Sequence, residues 1–220
     1  MKICHPLLDT IIDFDKNSVC LLAIENNKEY YNLCLQAYAQ SQGGQGDFCL
    51  SKGGEILDFA KNSLVLYDFL NIDFTSKKVK TTIDNAVLEE LKKPEYFMDL
   101  ATLNSQVVAL NDKVLASIDL PLDFSEEFGI EKFIKLSDYY VLQEQTLLEK
   151  LITYIDIFIK IKKINFVVLV GLFPFLSQEE INLFISQLNY MQIKVLFLEN
   201  KDYCVLNCSK IIIDKDLCQI

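Results

Sequence analysis

The stretch that most constrains this chain is Phe166 to Asn200, FVVLVGLFPFLSQEEINLFISQLNYMQIKVLFLEN. Two unbroken apolar runs, Phe166–Val170 and Val195–Leu198, flank one amphipathic helical segment. Strands buried on both faces of a parallel sheet read this way, because neither face is left for polar side chains. The spacing predicts a βαβ unit with a right-handed crossover. Ser177-Gln178-Glu179-Glu180 supplies the helix start: Ser177 caps, and Glu180 reaches back as the other half of a capping box.

A second α/β pair stands near the N-terminus. Val19–Glu25 (VCLLAIE) reads as a buried strand, and Asn26–Gln40 as a helix opened by an Asn cap. Ser41–Asp47 (SQGGQGD) is a Gly-rich loop. Phe48–Leu50 and Glu55–Leu57 read as short strands, a meander at one edge of the sheet. Ser63–Leu70 and Asp73–Phe74 read as a short helix and a strand, and Lys210–Asp214 as a final strand.

From about Ser76 the period changes to that of helices. Val79, Ile83, Val87 and Leu91 recur at helical spacing until Lys93-Pro94 interrupts. A second helix spans about Tyr96 to Ala116, a short one Phe128 to Lys135, and a long one Leu147 to about Ile161, with a small strand expected at Val141. The predicted organisation is therefore a discontinuous α/β head, residues 1–74 and 164–220, with an α-helical domain inserted at 75–163.

At 220 residues and 51% hydrophobic content the chain can bury a substantial core, and disorder is excluded. The formal net charge is -10 and the basic charge is all Lys, which meets phosphate as a point charge rather than a fork. A single strong nucleic-acid binder is usually basic, so DNA binding here requires lysines gathered on one surface. The seven Cys (4, 20, 34, 49, 204, 208 and 218) contain no CxxC pair, and His5 is the one histidine. They read as small buried hydrophobes in a reduced cytoplasm rather than as zinc ligands. No cleavable signal pattern and no apolar run near the ~20 residues of a membrane helix is present.

The parallel-sheet frame looks like the core of a nucleotide-hydrolysing domain. A phosphate loop needs GxxxxGK followed by Ser or Thr between a strand and a helix. The loop Gly43-Gly44-Gln45-Gly46 with Lys52 has neither that spacing nor those flanks, and reads as a surface turn. Leu196-Phe197-Leu198-Glu199 resembles a strand end whose acid would hold Mg²⁺, yet it lacks a phosphate-binding partner. His5 has no nucleophile motif beside it. The sequence therefore predicts a P-loop-NTPase-like head lacking the phosphate loop, in a protein that holds a ligand rather than cleaving one.

Two charged groupings carry the candidate sites. Asp119, Asp123, Glu126, Glu127 and Glu131 crowd a short stretch. Hard oxygens at such spacing suit Ca²⁺, although the order is not that of an EF-hand; acids at a solvated helix start are the other reading. The lysines Lys77, Lys78 and Lys80, then Lys92 and Lys93, Lys132 and Lys135, and Lys160, Lys162 and Lys163, fall in or beside the helical insert. Binding a phosphate backbone without reading bases needs only such clusters.

The order of segments resembles the short form of the CRISPR type II-A accessory adaptation protein, the Csn-two family. The resemblance rests on VCLLAIENNKEYYNLCLQAY, LYDFLNIDFTSKKVK, the KKPE pair, LPLDFSEEFGIEKFIK, and EKLITYIDIFIKIKKINFVVLVG with VLFLEN. It implies a non-enzymatic homotetrameric ring that threads double-stranded DNA ends, steadied by Ca²⁺, and that assists spacer acquisition with the CRISPR integrase and the type II-A effector nuclease. It implies calcium ligands at Asp123, Glu126 and Glu131. Pro121 and Ser125 stand where the family has acids; Asp119, Glu127 or backbone carbonyls are the candidates to compensate, and the site is either weaker here or shifted in geometry. The DNA-facing set Lys77, Lys78, Lys80, Lys132, Lys135, Lys160, Lys162 and Lys163 rests on clustering alone. Two rivals are a degenerate nucleotide-binding hydrolase and a protein-only scaffold of the adaptation complex.

Overall fold

A computed structural model describes residues 1–118, 120–125, 129–142 and 146–220. In chain order the elements are β1 (Lys2–Cys4), β2 (Ile12–Asp13), β3 (Val19–Ile24), α1 (Asn27–Ser41), β4 (Cys49–Lys52), β5 (Glu55–Leu57), α2 (Phe59–Asn62) and β6 (Ser63–Leu66). Then come α3 (Lys77–Leu91), α4 (Phe97–Ala116), α5 (Ile130–Ser137), α6 (Leu147–Lys162), β7 (Phe166–Val170), α7 (Gln178–Tyr190), β8 (Val195–Glu199) and β9 (Ser209–Ile213). They form two compact units: Met1–Ile72 with Glu144–Ile220, and Asp73–Gln143.

The first unit is mixed α/β, the class expected from the sequence. Its centre is a five-stranded parallel sheet in the order β6-β7-β8-β3-β9. Every residue of β3 and of β8 is buried. One face, carrying Cys20, Leu22, Ile24, Leu196, Leu198 and Val168, packs on Leu33 and Ala37 of α1 and on Ile3 and Leu50. The other face is reached through Phe197, whose ring lies 4.7 Å from Phe173 and 6.1 Å from Phe184 of α7. Both layers are apolar because the chain alternates its large side chains between two covered faces.

The helix starts follow their local chemistry. Ser177 and Glu180 form the expected capping box on α7, and Asn26 caps α1. Thr146 and Glu149 form a second capping box on α6. Helix α6 buries Leu148, Leu151, Ile155 and Phe158 and runs into β7 through Asn165, whose N–H donates to the Asn62 carbonyl at 3.1 Å.

Five segments differ from the sequence reading. Strands β4 and β5 do not edge the parallel sheet. They lie in a separate antiparallel sheet, β2-β1-β4-β5, in which β4 pairs with β1 and β5 with β4 across a tight turn of Gly53 and Gly54 at φ +61 and +88. Two consecutive positive φ values suit a two-residue hairpin loop and require glycine. Ser63–Leu66 is the edge strand β6, and the short helix precedes it as α2. Asp73–Phe74 lies in turns, where Asp73 accepts from Thr75, and Val141 is not in a strand. Helix α6, which the sequence reading gave to the inserted domain, falls in the first unit because it carries a fully buried apolar stripe there.

The second unit is helical. Ser76 caps α3, and a 3-10 turn over Pro94–Tyr96 joins α3 to α4. Val79 and Thr82 of α3 and Ile134 of α5 are buried. Lys80 of α3 pairs with Asp138 at the end of α5. Helix α4 fully buries none of its side chains: Leu100, Leu103, Val107 and Val108 are half-buried, and Phe97, Met98, Leu110 and Val114 are exposed. Among the described residues no helix is long and apolar enough to cross a membrane.

Phe197 is the side chain that joins α7 and the Phe173 turn to the sheet. Phe197→Ala is expected to cost about 3–5 kcal/mol, while Tyr190→Ala on the exposed face of α7 stays within about 0.5 kcal/mol. Equilibrium denaturation reads both as shifts in midpoint at unchanged slope.

Candidate functional site

In doubly wound α/β proteins ligands bind beyond the carboxyl ends of the parallel strands. The position a phosphate loop would take, between β3 and α1, is a turn of Glu25 and Asn26 alone. The Asn26 side chain accepts from the amides of Lys28 at 3.1 Å and Glu29 at 3.2 Å, and Glu29 adds an anion to the first turn. The helix end that would meet a phosphate is thus already hydrogen-bonded and negatively charged.

The Gly-rich loop sits at the opposite end of α1. Gly43, at φ +80, and Gly44 donate their N–H groups to the carbonyls of Gln40 and Ala39 at 3.0 and 2.8 Å. A Cβ at Gly44 would stand 2.9 Å from the Ala39 oxygen, so glycine is there for a close helix ending. Lys52 ends β4, before the Gly53-Gly54 turn. No phosphate cradle forms from these residues.

Glu199, the last residue of β8, is fully buried. Its Oε1 accepts the Phe173 N–H at 3.0 Å, satisfying a donor in the 3-10 turn after β7. Its Oε2 has no protein partner, nor does the buried Tyr203 hydroxyl. The Tyr30 hydroxyl lies close by and donates to the Leu198 carbonyl at 3.5 Å. Burial pushes the Glu199 carboxyl up to about 7, against the opposing pull of the Phe173 and Leu172 amides and Lys201. This acid ties β8 to the Phe173 turn, a structural role, and one oxygen is spent on doing so.

The acidic stretch is described only in part. Asp119, Glu126 and Glu127 lie outside the described residues. Asp123 is exposed and its Oδ1 accepts the Phe124 N–H at 2.8 Å. Glu131 is exposed in the first turn of α5, with its carboxylate 2.9 Å from where a Gly129 Cβ would stand. Among the described residues no three His, Cys, Asp or Glu side chains gather as a metal site.

The candidate lysines divide between the units, and all are exposed. Lys77, Lys78 and Lys80 fill the first turns of α3, which holds no acid there. That is the positive end of the helix dipole, where cations are disfavoured. Asp138 holds Lys80 above its ordinary value. The same ion pair brings the last turn of α5, with Lys135, beside the start of α3, and Lys132 lies one turn back. Lys160, Lys162 and Lys163 end α6 in the first unit, where the dipole favours them. Lys160 pairs with Asp156 at 2.7 Å, and Lys162 lies 5.5 Å from the Phe158 ring centre.

One feature escaped the sequence reading. An apolar cavity of about 420 Å³ is lined by Tyr31, Leu35 and Tyr38 of α1, with Tyr67 and Val170. The signal was present: Tyr31, Leu35 and Tyr38 recur at helical spacing on a face that the buried Leu33 and Ala37 leave open.

The Glu199 geometry sets a pH dependence. A carboxyl raised from 4.5 to about 7 keeps its proton in the folded chain while the unfolded chain has lost it. Folding stability therefore falls as pH rises from about 4.5 to about 7, then levels. Glu199→Gln keeps the acceptor for Phe173 and removes the charge. It is expected to flatten that pH profile and to raise stability at pH 8 by on the order of 1–3 kcal/mol, measured by denaturation across pH.

A protein-family model described as CRISPR-associated protein (Cas_Csn2) matches residues 40–217. Among solved structures, that of Stu0660 of Streptococcus thermophilus is similar, with a TM-score of 0.57. The likeness covers 90% of this chain and 68% of that one at 11% sequence identity, which establishes a shared fold.

Proposed function

This chain belongs to the Csn2 family of CRISPR-associated proteins, accessory proteins of type II-A adaptation in antiviral defence, and from that membership we propose that it is a non-enzymatic clamp for double-stranded DNA ends during spacer acquisition. In this reading its lysines meet the phosphate backbone and its acidic stretch holds Ca²⁺. Several copies, four by family likeness, close around the duplex in the cytoplasm, in company with the CRISPR integrase and the effector nuclease.

The observation that carries the reading is the lysine-filled start of α3. Lys77, Lys78 and Lys80 crowd the positive end of a helix dipole, with Lys135 of α5 at the same end. Such a placement costs stability in the isolated chain and is offset by a polyanion. Helix α4 supports self-association: a 20-residue helix with no fully buried side chain, exposing Phe97, Met98, Leu110 and Val114 in one chain, is covered when copies assemble. The capped, acid-bearing start of α1 supports a P-loop-NTPase-like frame that holds rather than hydrolyses. For calcium, Asp123 and Glu131 contribute from the described residues, with Asp119, Glu126 and Glu127 as the remaining ligands. Ca²⁺ there lowers repulsion between acidic copies and raises the population of the assembled form.

A mobility shift on a linear duplex and a closed circle of the same sequence, in CaCl₂ or EGTA, tests this. Calcium-dependent retention of the linear form alone is expected, lost as salt rises. No shift of either form overturns DNA binding and leaves the protein-only scaffold. Equal retention of both forms removes threading over ends.

A further inference from the structure

Cys4 of β1 and Cys49 of β4, 45 residues apart in the chain, stand directly opposite each other in the antiparallel sheet. The neighbouring pair Ile3 and Leu50 points into the core, so the alternation of the strands turns Cys4 and Cys49 together to the other face. Both side chains are half-buried rather than sealed in. The Cys4 thiol lies against Cys49, 3.8 Å from its carbonyl oxygen. Directly opposed residues of an antiparallel pair have Cα atoms about 4.5–5.5 Å apart, inside the range a disulfide spans.

We propose that Cys4 and Cys49 are a reversible dithiol–disulfide pair that closes on exposure to a low-molecular-weight disulfide such as oxidised glutathione. One thiolate attacks a glutathione sulfur and expels a glutathione thiolate, leaving a mixed disulfide on the protein. The second thiolate attacks that protein-bound sulfur, forms the Cys4–Cys49 bond and expels the second glutathione thiolate. The pair loses two electrons and two protons; one oxidised glutathione becomes two reduced ones. In a reducing compartment such a bond is a signal rather than a permanent staple.

Burial and the adjacent Cys49 hold the Cys4 thiol above its ordinary value, so its thiolate is scarce near neutral pH and closure accelerates as pH rises. The bond joins the two central strands of the antiparallel sheet and closes the loop that contains β2, β3 and α1. Closing a loop of that length restricts the unfolded chain, so the oxidised form melts at a higher temperature.

The test uses the full chain, treated with oxidised glutathione, quenched by alkylation and mapped by mass spectrometry. The expected result is a Cys4–Cys49-linked peptide, loss of alkylation at Cys4 and Cys49, a raised melting temperature, and reversal by reduced glutathione. Cys49→Ser is expected to lose the linked peptide and the melting shift. The exposed Cys204 and Cys218 report that the oxidant has acted. Glutathione on Cys204 or Cys218 with Cys4 and Cys49 still alkylatable would overturn the proposal. So would a link between Cys208 and its neighbour Cys20 in place of the predicted one.

Discussion

The parallel sheet buried on both faces is the constraint on which the first unit depends. A strand such as β3, buried at every residue, leaves its backbone groups no water to meet, so each side of it must be paired. Strands β8 and β9 supply those pairs, and α1 on one side and α7 on the other supply the covers. That demand explains the length and purity of the apolar runs. It also explains Glu199: the Phe173 amide at the sheet's carboxyl edge is buried, and the carboxyl that satisfies it is held near neutrality by the same burial.

The sheet frame is a parallel α/β one, and its turn between β3 and α1 leaves no room for a phosphate loop. Two residues replace a phosphate loop between β3 and α1, and Asn26 occupies amides that a phosphate would need. In the proposed function the anion-binding surface lies instead on the second unit. There Lys77, Lys78 and Lys80 begin α3 without an acid in that turn. On a chain of net charge -10, this local concentration matters more than the total.

The buried strands β3, β7 and β8 were plain in the sequence because burial on both faces writes itself as continuous apolar letters. Capping boxes were plain because they are local. The pairing of β4 with β1 was not, since partners more than forty residues apart leave no mark in a short strand. Strand β6 was misread because SLVL also fits a helix, and its identity comes from pairing with β7. The lysine clusters were visible as composition, but their position against the dipole of α3 required the helix boundary. Asp123 and Glu131 were singled out by crowding and by resemblance, and they are the two of that set's five members that lie among the described residues. The opposition of Cys4 and Cys49 depends on register, which no spacing rule reveals.

In the proposed function the lysines opening α3 grip the phosphate backbone. The most direct measurement is the salt dependence of duplex affinity for the wild-type chain and for Lys77→Gln/Lys78→Gln, with assembly state checked in parallel. Each lost phosphate contact is expected to lower the slope of log K against log salt by roughly 0.9, so the variant gives a shallower line. Parallel lines for the two proteins, at equal assembly, would contradict the claim.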